Sequence, residues 1–289
     1  MSVDENVITL ASTDSILPEL EFPKVSQQQL AWRDVVDGFE KWRIWTMLAY
    51  QDIKLRYRRS ILGPFWLTLS MAITVYSMGF LYSKIFKSNI AEYFPFLVAG
   101  MLAWSLISSI IIEATDGLIV QENLIKQIKL PYSLYIHRLV SRNLLIFFHN
   151  VFVIVPVMFF FHETAKVNFY TLLLIPGLAI TYLNGWIYGI LFSMLGSRYR
   201  DISQVVKSFV QVVFFITPVM WKPGLLTGRS YALIDYNPFY GFIECIRMPL
   251  LGQAPTMKNI ISVSIVTCIG IVITSKFFIR YRSRIVYWL

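Results

Sequence analysis

Six long apolar segments dominate this sequence and limit what it can fold into. They fall at 65–86, 94–113, 143–161, 170–195, 202–221 and 259–279. A helix needs about 20 mostly apolar residues to cross roughly 30 Å of hydrocarbon, and each segment comes close to that length. The fifth is the weakest, because its most apolar part, 208–221, reaches that length only when it is extended back to Ile202. We therefore predict an all-α polytopic membrane protein with six transmembrane helices.

The composition favours a membrane protein over a soluble domain. Of the 289 residues, 56% are hydrophobic and 15% are charged, whereas an average soluble domain has about 25% charged residues. The net charge of +9 would suggest nucleic-acid binding if it lay in patches on a soluble fold. The basic residues lie instead beside the apolar segments, so we expect no nucleic-acid partner.

The distribution of basic residues predicts the orientation. Most of the 26 lysines and arginines fall in the first 64 residues, in 114–142, in 196–207 and at the C-terminal end. Cytoplasmic segments carry the excess of Lys and Arg, so we predict that both termini are cytoplasmic. The domain division that follows is a polar tail at 1–29, an amphipathic interface helix and turn at 30–64, the transmembrane domain at 65–280 and a cytoplasmic C-terminus at 281–289.

The segment before the first span reads as an amphipathic helix at the membrane interface. Its apolar residues recur at spacings of three and four, with charged residues between them, which is typical of a helix lying on a membrane. It ends in RYRRSILGPFW, where Arg56, Arg58 and Arg59 can meet anionic headgroups. Gly63 and Pro64 then break the helix, because Pro64 lacks a donor and disfavours helical backbone before it.

Motifs for energy conversion and catalysis are missing. No Gly is followed by Lys, so the sequence has no Walker A loop, and it has no GxGxxG, HExxH or GxSxG motif. Any ATP hydrolysis must therefore come from another chain.

Glu113 and Asp116 are the one pair of nearby carboxylates close to a span, and we expect them to be solvated. For His149 a structural hydrogen bond between helices is favoured over a substrate contact. Cys245 and Cys268 match no metal or redox spacing, and we predict no metal site.

Two connecting segments contain further amphipathic patterns. In VQENLIKQIKLP, the residues Leu124, Ile125 and Ile128 form a small apolar face, which suits either a surface loop or a helix that docks into a soluble partner. The loop 222–258 is too long and too apolar for a simple connector. In it Glu244 and Arg247 have the spacing of a helical ion pair, and we predict short re-entrant helices that form an external gate.

Five motifs together resemble those of ABC-2 type permeases, in the same order and spacing. They are RYRRSILGPFW, NLIKQIKLP, SRYRDISQVV, FFITPVMW and YNPFYGFIECIRMPLLG. The chain is most similar to the subunits that export O-antigen and capsular polysaccharides in Gram-negative bacteria, and the resemblance runs from about Ala31 to the C-terminus. The polar tail has no counterpart in that pattern.

The resemblance implies a homodimer in the bacterial inner membrane that binds two copies of a separate ATPase. No cofactor is expected in this chain, since ATP and Mg²⁺ would bind to the ATPase. The cargo would be a lipid-linked polysaccharide that passes through a channel at the dimer interface, and membrane lipids would be the other partners.

The resemblance also assigns residues to roles. The implied ATPase-coupling residues are Glu122, Asn123, Leu124, Ile125, Lys126, Ile128, Arg198, Arg200 and Asp201. The interface helix and its anchor are represented by Trp32, Phe39, Trp42, Trp45, Arg56, Arg58, Arg59, Gly63 and Pro64. The periplasmic gate would contain Pro238, Phe239, Tyr240, Glu244 and Arg247, and possible channel-lining aromatics are Trp66, Tyr76, Trp104 and Trp186.

Two alternatives to this function are left open. One is another ABC-2 cargo, such as teichoic acid or another glycolipid; drug permeases fit less well because the loop between the first two spans is only about eight residues. The other is a membrane-embedded transferase that acts on lipid-linked sugars, which would need carboxylates or histidines positioned for acid–base work.

Overall fold

The computed structural model describes residues 26–225 and 232–289, and every regular element in these ranges is helical. The polar tail up to residue 25 and part of the predicted gate loop lie outside the described residues. The long helices are α3 (Phe65–Ile85), α4 (Ile90–Thr115), α6 (Tyr132–Val151), α8 (Leu174–Arg198) and α12 (Met257–Tyr281). The shorter ones are α1 (Gln27–Glu40), α2 (Trp42–Arg56), α5 (Glu122–Gln127), α7 (Ile154–Phe160), α9 (Ile202–Ile216), α10 (Ala232–Asp235), α11 (Pro238–Leu250) and α13 (Ile285–Trp288).

Five helical segments in the described ranges are long and apolar enough to cross a membrane. They are Phe65–Ile85, Ile90–Thr115, Tyr132–Phe160, Phe169–Arg198 and Met257–Trp288. The chain is therefore an all-helical, multi-pass membrane protein. The fifth predicted span corresponds to α9, which has 15 residues and a length of only about 22 Å. The count of six spans stays a prediction, because α9 alone falls short of the bilayer thickness.

The third span starts eleven residues earlier than the sequence pattern indicated, at Tyr132 instead of 143. The polar residues of YIHRLVSRN do not end the apolar segment, because Arg138 and Arg142 form ion pairs along one side of α6. The helix then breaks at Phe152 and Val153 before α7.

The predicted interface helix consists of two helices, α1 and α2, separated at Lys41. Ser26 begins α1 with a capping box that includes Gln29. The face of α1 that packs onto the protein is formed by Ala31, Asp34 and Gly38. A side chain at Gly38 would place its Cβ 2.0 Å from the Ser133 hydroxyl, so only glycine permits this approach to α6.

The turn between α2 and α3 has the geometry that its sequence indicates. Gly63 has a positive φ of 56°, which glycine adopts without steric cost, and its N–H donates to the Ser60 hydroxyl at 3.2 Å. Pro64 is the N-cap of α3, and Arg59 also has a positive φ, of 70°. The chain therefore reverses within a few residues between the basic end of α2 and the start of the first span.

The core lies around α4, whose central part is the most buried of the five long segments. α3, α6, α8, α9 and α11 all pack against it. α11 forms the end of the predicted gate loop and contacts α4, α8 and α12. Asn237 caps α11 and Pro238 occupies its first turn, where a missing N–H costs nothing.

Candidate functional site

The predicted coupling segment forms the short helix α5 at the end of the molecule where α4 ends and α6 begins. Its Glu122 and Lys126 form an ion pair at 2.6 Å, and this hydrogen bond lowers the pKa of Glu122. Leu124 and Ile125 pack against the protein's own core, so part of the predicted apolar face points inward. Ile128 is 49% exposed.

The outward face of α5 is mixed in character. It consists of the exposed residues Asn123, Lys126, Gln127, Ile128 and Lys129. A surface of this kind, with one apolar residue among polar ones, suits a contact with a soluble protein. This surface is called the coupling face below.

A network of partly buried charges lies behind the coupling face. Arg138 donates through Nη1 to Gln121 Oε1 at 2.7 Å and through Nε to Asp52 at 2.9 Å. Arg142 joins the same Asp52 at 3.1 Å to Glu113 at 2.7 Å. The network therefore connects α2, α4 and α6 to the residue just before α5.

This network was not predicted from the sequence. A signal was available, because Arg138 and Arg142 are one helical turn apart and lie on the same face of a helix. Their partners were not predictable, since Asp52 is 86 residues away from Arg138. The expectation that Glu113 and Asp116 are solvated is corrected by their contacts. Glu113 also accepts from Asn143 at 2.6 Å, and Asp116 accepts from the Ser203 hydroxyl at 2.9 Å.

Asp34 joins three parts of the chain next to the coupling segment. Its carboxylate accepts from the backbone N–H groups of Tyr132 and Ser133 at 3.1 and 3.0 Å. These are the first N–H groups of α6, which Pro131 cannot cap with a side chain. Arg282 adds an ion pair at 2.8 Å. A negative charge is favourable at a helix N-terminus, so Asp34 fixes α1 and the C-terminal segment to the start of α6.

The second predicted coupling contact, Arg198 to Asp201, lies between α8 and α9. The guanidinium of Arg198 lies over the rings of Tyr199, Tyr281 and Trp288 at 5.0, 5.9 and 5.5 Å. Arg198 is therefore held by the C-terminal aromatics of its own chain. Arg200 and Asp201 are exposed.

The predicted gate residues contain a fully buried ion pair on α11. Arg247 Nη1 donates to Glu244 at 3.0 Å, with both side chains at most 1% exposed. Arg247 Nη2 donates to the Pro218 carbonyl at 2.7 Å, and the guanidinium lies 4.0 Å from the centre of the Phe96 ring. A Cβ on Gly100 would lie 2.5 Å from this guanidinium, so glycine makes room for it. The pair predicted from its spacing is present.

The remaining predicted gate residues, Pro238, Phe239 and Tyr240, form the first turn of α11. Phe239 contacts Trp104, one of the predicted channel-lining residues, with ring centres 6.2 Å apart. Trp104 also packs against Phe214 of α9 at 5.5 Å. The structure thus brings a candidate channel residue together with the candidate gate.

The other candidate channel-lining residues have different surroundings. Tyr76 donates to the Val153 carbonyl at 2.6 Å, and Trp186 stacks on the buried His137 at 5.1 Å. Trp66 is exposed at the start of α3. A role for any of them in a channel stays a prediction.

The aromatic residues of the interface helices point in two directions. Trp32, Phe39 and Trp42 are exposed, as expected for a surface that lies in a membrane interface. Trp45 instead stacks on His137 at 5.2 Å. The basic residues Arg56, Arg58 and Arg59 at the end of α2 are exposed.

The described residues contain no metal centre, and the contacts of His149 lie within the helical bundle. No cluster of three His, Cys, Asp or Glu that could bind a metal occurs in 26–225 and 232–289. His149 contacts the Leu145 carbonyl of its own helix through Nδ1 at 2.8 Å, and its backbone carbonyl accepts from Thr68 of α3 at 2.9 Å. The hydrogen bond that joins α6 to α3 at this position is therefore made by the backbone carbonyl of His149, and the imidazole ring takes no part in it.

Comparison with known proteins decides the family. Residues 43–251 match the model of the family described as ABC-2 type transporter. The chain belongs to the ABC-2 type transporter family. The match runs from the start of α2 to the end of α11, and so includes both the coupling face and the gate helix. The resemblance based on the five motifs is confirmed, and ABC-2 proteins of this type are transmembrane transport subunits.

Individual ABC-2 relatives are similar to this chain at low identity. A protein of Klebsiella pneumoniae named O-antigen export system permease protein RfbA is 23% identical over 244 residues, which cover 82% of this chain and 92% of the relative. A second RfbA from the same organism is 24% identical, over 68% of this chain and 76% of its own length. The RfbA of Myxococcus xanthus is 20% identical, over 63% and 70%.

Proposed function

We propose that this chain is the permease subunit of an ATP-driven exporter that moves a lipid-linked polysaccharide of the O-antigen type across the bacterial inner membrane. The observation that carries the proposal is the ABC-2 family match, together with relatives named as O-antigen export permeases. The geometry supports it through an exposed coupling face at one end of the helices.

ATP hydrolysis belongs to a separate ATPase that docks on the coupling face. The exposed side chains of α5 supply the contact, and the charge network of Asp52, Glu113, Arg138 and Arg142 connects that contact to α2, α4 and α6. A displacement of α5 is therefore transmitted to these three helices through partly buried side chains. ATP and Mg²⁺ are bound by the ATPase, and this chain holds no cofactor.

The functional unit is a homodimer with two ATPase copies and both termini in the cytoplasm. Two helices, α3 and α9, have exposed apolar side chains along much of their length, among them Phe80, Leu81, Phe209 and Phe215. Such faces pack against lipid or against a second copy. The polysaccharide passes between the two copies, and α11 with Phe239 and Trp104 closes the outer end of the passage.

Deleting the gene and locating the polysaccharide tests this function. We expect lipid-linked polysaccharide to accumulate inside the cells and to be lost from the surface, with both effects reversed by the intact gene on a plasmid. Analysis of the retained polymer then identifies the cargo as O-antigen, capsule, teichoic acid or another glycolipid. Normal surface polysaccharide would contradict the proposal.

Complete loss of the polymer would favour the alternative of a transferase. The contacts of Glu113 weigh against it, because this carboxylate is bound by Arg142 and Asn143 and is not free for acid–base work. A Glu113→Gln variant separates the two functions, because a transferase would lose synthesis while the polymer in an export mutant is still made.

A further inference from the structure

A cavity of about 410 Å³ lies between the long helices of a single chain. Its walls come from α4, α8, α9, α11 and α12. The residues that line it are almost all apolar, and none of them is charged. Its size falls within the range of about 300–1,000 Å³ found for small-molecule sites.

The polar side chains in the wall have no free donor to offer a ligand. Thr181 donates to the Gly177 carbonyl, and Tyr188 donates to the Val266 carbonyl. Asn184 donates to the Ile180 carbonyl and to Thr267. Asn184 Oδ1 is a buried acceptor without a partner in the described residues, but a sugar needs several hydrogen-bond partners, so the wall does not suit the polysaccharide. The lining suits a hydrocarbon.

The dimensions match one fatty-acyl chain. Along α8 the cavity extends from Thr181 to Phe192, and eleven residues of α-helix rise by about 16 Å. One leaflet of a bilayer contributes about half of the roughly 30 Å of hydrocarbon thickness. The cavity therefore has the length of a chain that belongs to a single leaflet.

The cavity is reachable from the side. Val205 and Phe209 line it, and they are 58% and 56% exposed at the surface of α9. A lipid acyl chain can therefore enter the cavity from the membrane beside α9. Phe239 and Phe242 of the gate helix α11 also line the cavity, and Phe239 lies against Phe209 of α9 with ring centres 6.5 Å apart.

We propose that this cavity binds one acyl chain of a bilayer phospholipid. The chain fills the space between α9 and α8 and touches the gate helix beside the ring contact of Phe209 with Phe239, whose centres are 6.5 Å apart. This site lies within one subunit and shares Phe239 with the proposed closure of the polysaccharide passage. It does not depend on the proposed cargo, because the permease binds the lipid without ATPase or polysaccharide.

Photolabelling of the purified full-length permease in nanodiscs tests the site. The discs contain phosphatidylethanolamine and phosphatidylglycerol, with a small fraction of phosphatidylethanolamine that carries a diazirine on its acyl chain. After illumination, labelled residues are located by mass spectrometry. We expect label on Ile110 and Thr181, which line the cavity and are each 4% exposed, so that bulk lipid cannot reach them.

Variants that fill the cavity from opposite walls provide the control. Val206→Trp on α9 and Val266→Trp on α12 should reduce labelling of Ile110 and Thr181 at least tenfold. Val212→Trp should leave it unchanged, because Val212 is 56% exposed and does not line the cavity. Size-exclusion profiles identify any variant that has lost its fold.

Labelling of the wild-type permease tests the proposal by itself, even if a variant with a tryptophan in the cavity fails to fold. Label confined to outward residues such as Phe215 would overturn it, whether the cavity is empty or filled by side chains of a second copy. Labelling of Ile110 that persists in a folded filled variant would overturn it as well.

Discussion

The charged side chains of Asp34 and Arg247 are buried, and each is surrounded by several partners. Asp34 accepts two backbone hydrogen bonds and pairs with Arg282. Arg247 pairs with Glu244, donates to a backbone carbonyl and lies on an aromatic ring. Removing one partner of such a group leaves an uncompensated charge or donor, which costs more than the pair contributes. These residues should therefore be sensitive to isosteric changes.

Asp34→Asn tests the connection between α1, α6 and the C-terminal segment. The amide keeps the shape but loses the charge that faces Arg282 and the N-terminus of α6, so we expect the free energy of unfolding to fall by about 1–3 kcal/mol. The thermal midpoint of the detergent-purified protein measures it. Asp37→Asn is the matched control, because Asp37 lies one turn later on the exposed side of α1. Equal midpoints for the two variants would contradict the role of Asp34.

Arg247→Lys tests the buried pair in the gate helix. An ammonium keeps the charge but cannot donate to Glu244 and the Pro218 carbonyl in the same fork while it lies over Phe96. We expect a loss of about 2–4 kcal/mol, seen as a lower thermal midpoint. The exposed Arg33 gives the control Arg33→Lys, which should have no effect. A wild-type midpoint for Arg247→Lys would show that the planar group is not needed.

At the scale of elements, α5 lies flat against the end of the bundle with only part of its surface free. Leu124 and Ile125 contact the core, so an acidic substitution at either would disturb the fold as well as any partner. Ile128 is exposed and apolar, and its neighbours Asn123 and Lys126 are exposed too. The coupling face is therefore best probed at Ile128.

Ile128→Asp should abolish copurification of the ATPase while the thermal midpoint stays near the wild-type value. The reason is that a carboxylate on the coupling face places an unpaired charge in a desolvated contact. Val167→Asp is the control, because Val167 is also exposed and lies beyond the opposite end of α6 and α7. Retention of the ATPase by Ile128→Asp would place the coupling contact elsewhere.

Local patterns in the sequence predicted the local features of these elements. The three-residue spacing of Glu244 and Arg247 gave the ion pair, and Gly63 with Pro64 gave the turn before α3. Contacts between residues that are far apart in the sequence could not be predicted from such local patterns. Asp34 and Arg282 are 248 positions apart, and no periodicity relates them.

The boundaries of the elements were predicted less well for the same reason. Polar residues at the start of α6 suggested a loop until 143, yet they are part of the helix because Asp52 and Glu113 come from other helices to pair with them. On α1, the spacing grouped the aromatics into one face but did not predict that Ala31, Asp34 and Gly38 form the face packed on the protein. The face of α1 that packs on the protein is the one whose small residues let α1 approach α6 closely.

At the scale of the whole molecule, the start of the described chain and its C-terminal segment lie at the same end. The 2.8 Å contact between Asp34 and Arg282 requires this. A chain whose two ends lie on one side crosses the membrane an even number of times. Five long helices are present in the described ranges, so the predicted sixth crossing by α9 needs a direct test.

Cysteine labelling in intact cells tests this topology. After Cys245 and Cys268 are replaced by serine, single cysteines at Ser26 and Tyr287 should resist a membrane-impermeant maleimide until the cells are opened. A cysteine at Val167 should react at once, since it lies at the other end of the helices. Labelling of the residue 26 and residue 287 cysteines from opposite sides would leave an odd number of crossings and exclude α9 as a span.

The most direct test of the account is ATP-dependent transport in inverted membrane vesicles. Vesicles that contain this permease and the ATPase that copurifies with it are supplied with lipid-linked polysaccharide from the deletion strain. The account predicts that ATP moves the polymer into a compartment protected from added glycosidase, and that Ile128→Asp vesicles protect none of it. Protection without ATP, or equal protection in vesicles that lack the permease, would contradict it.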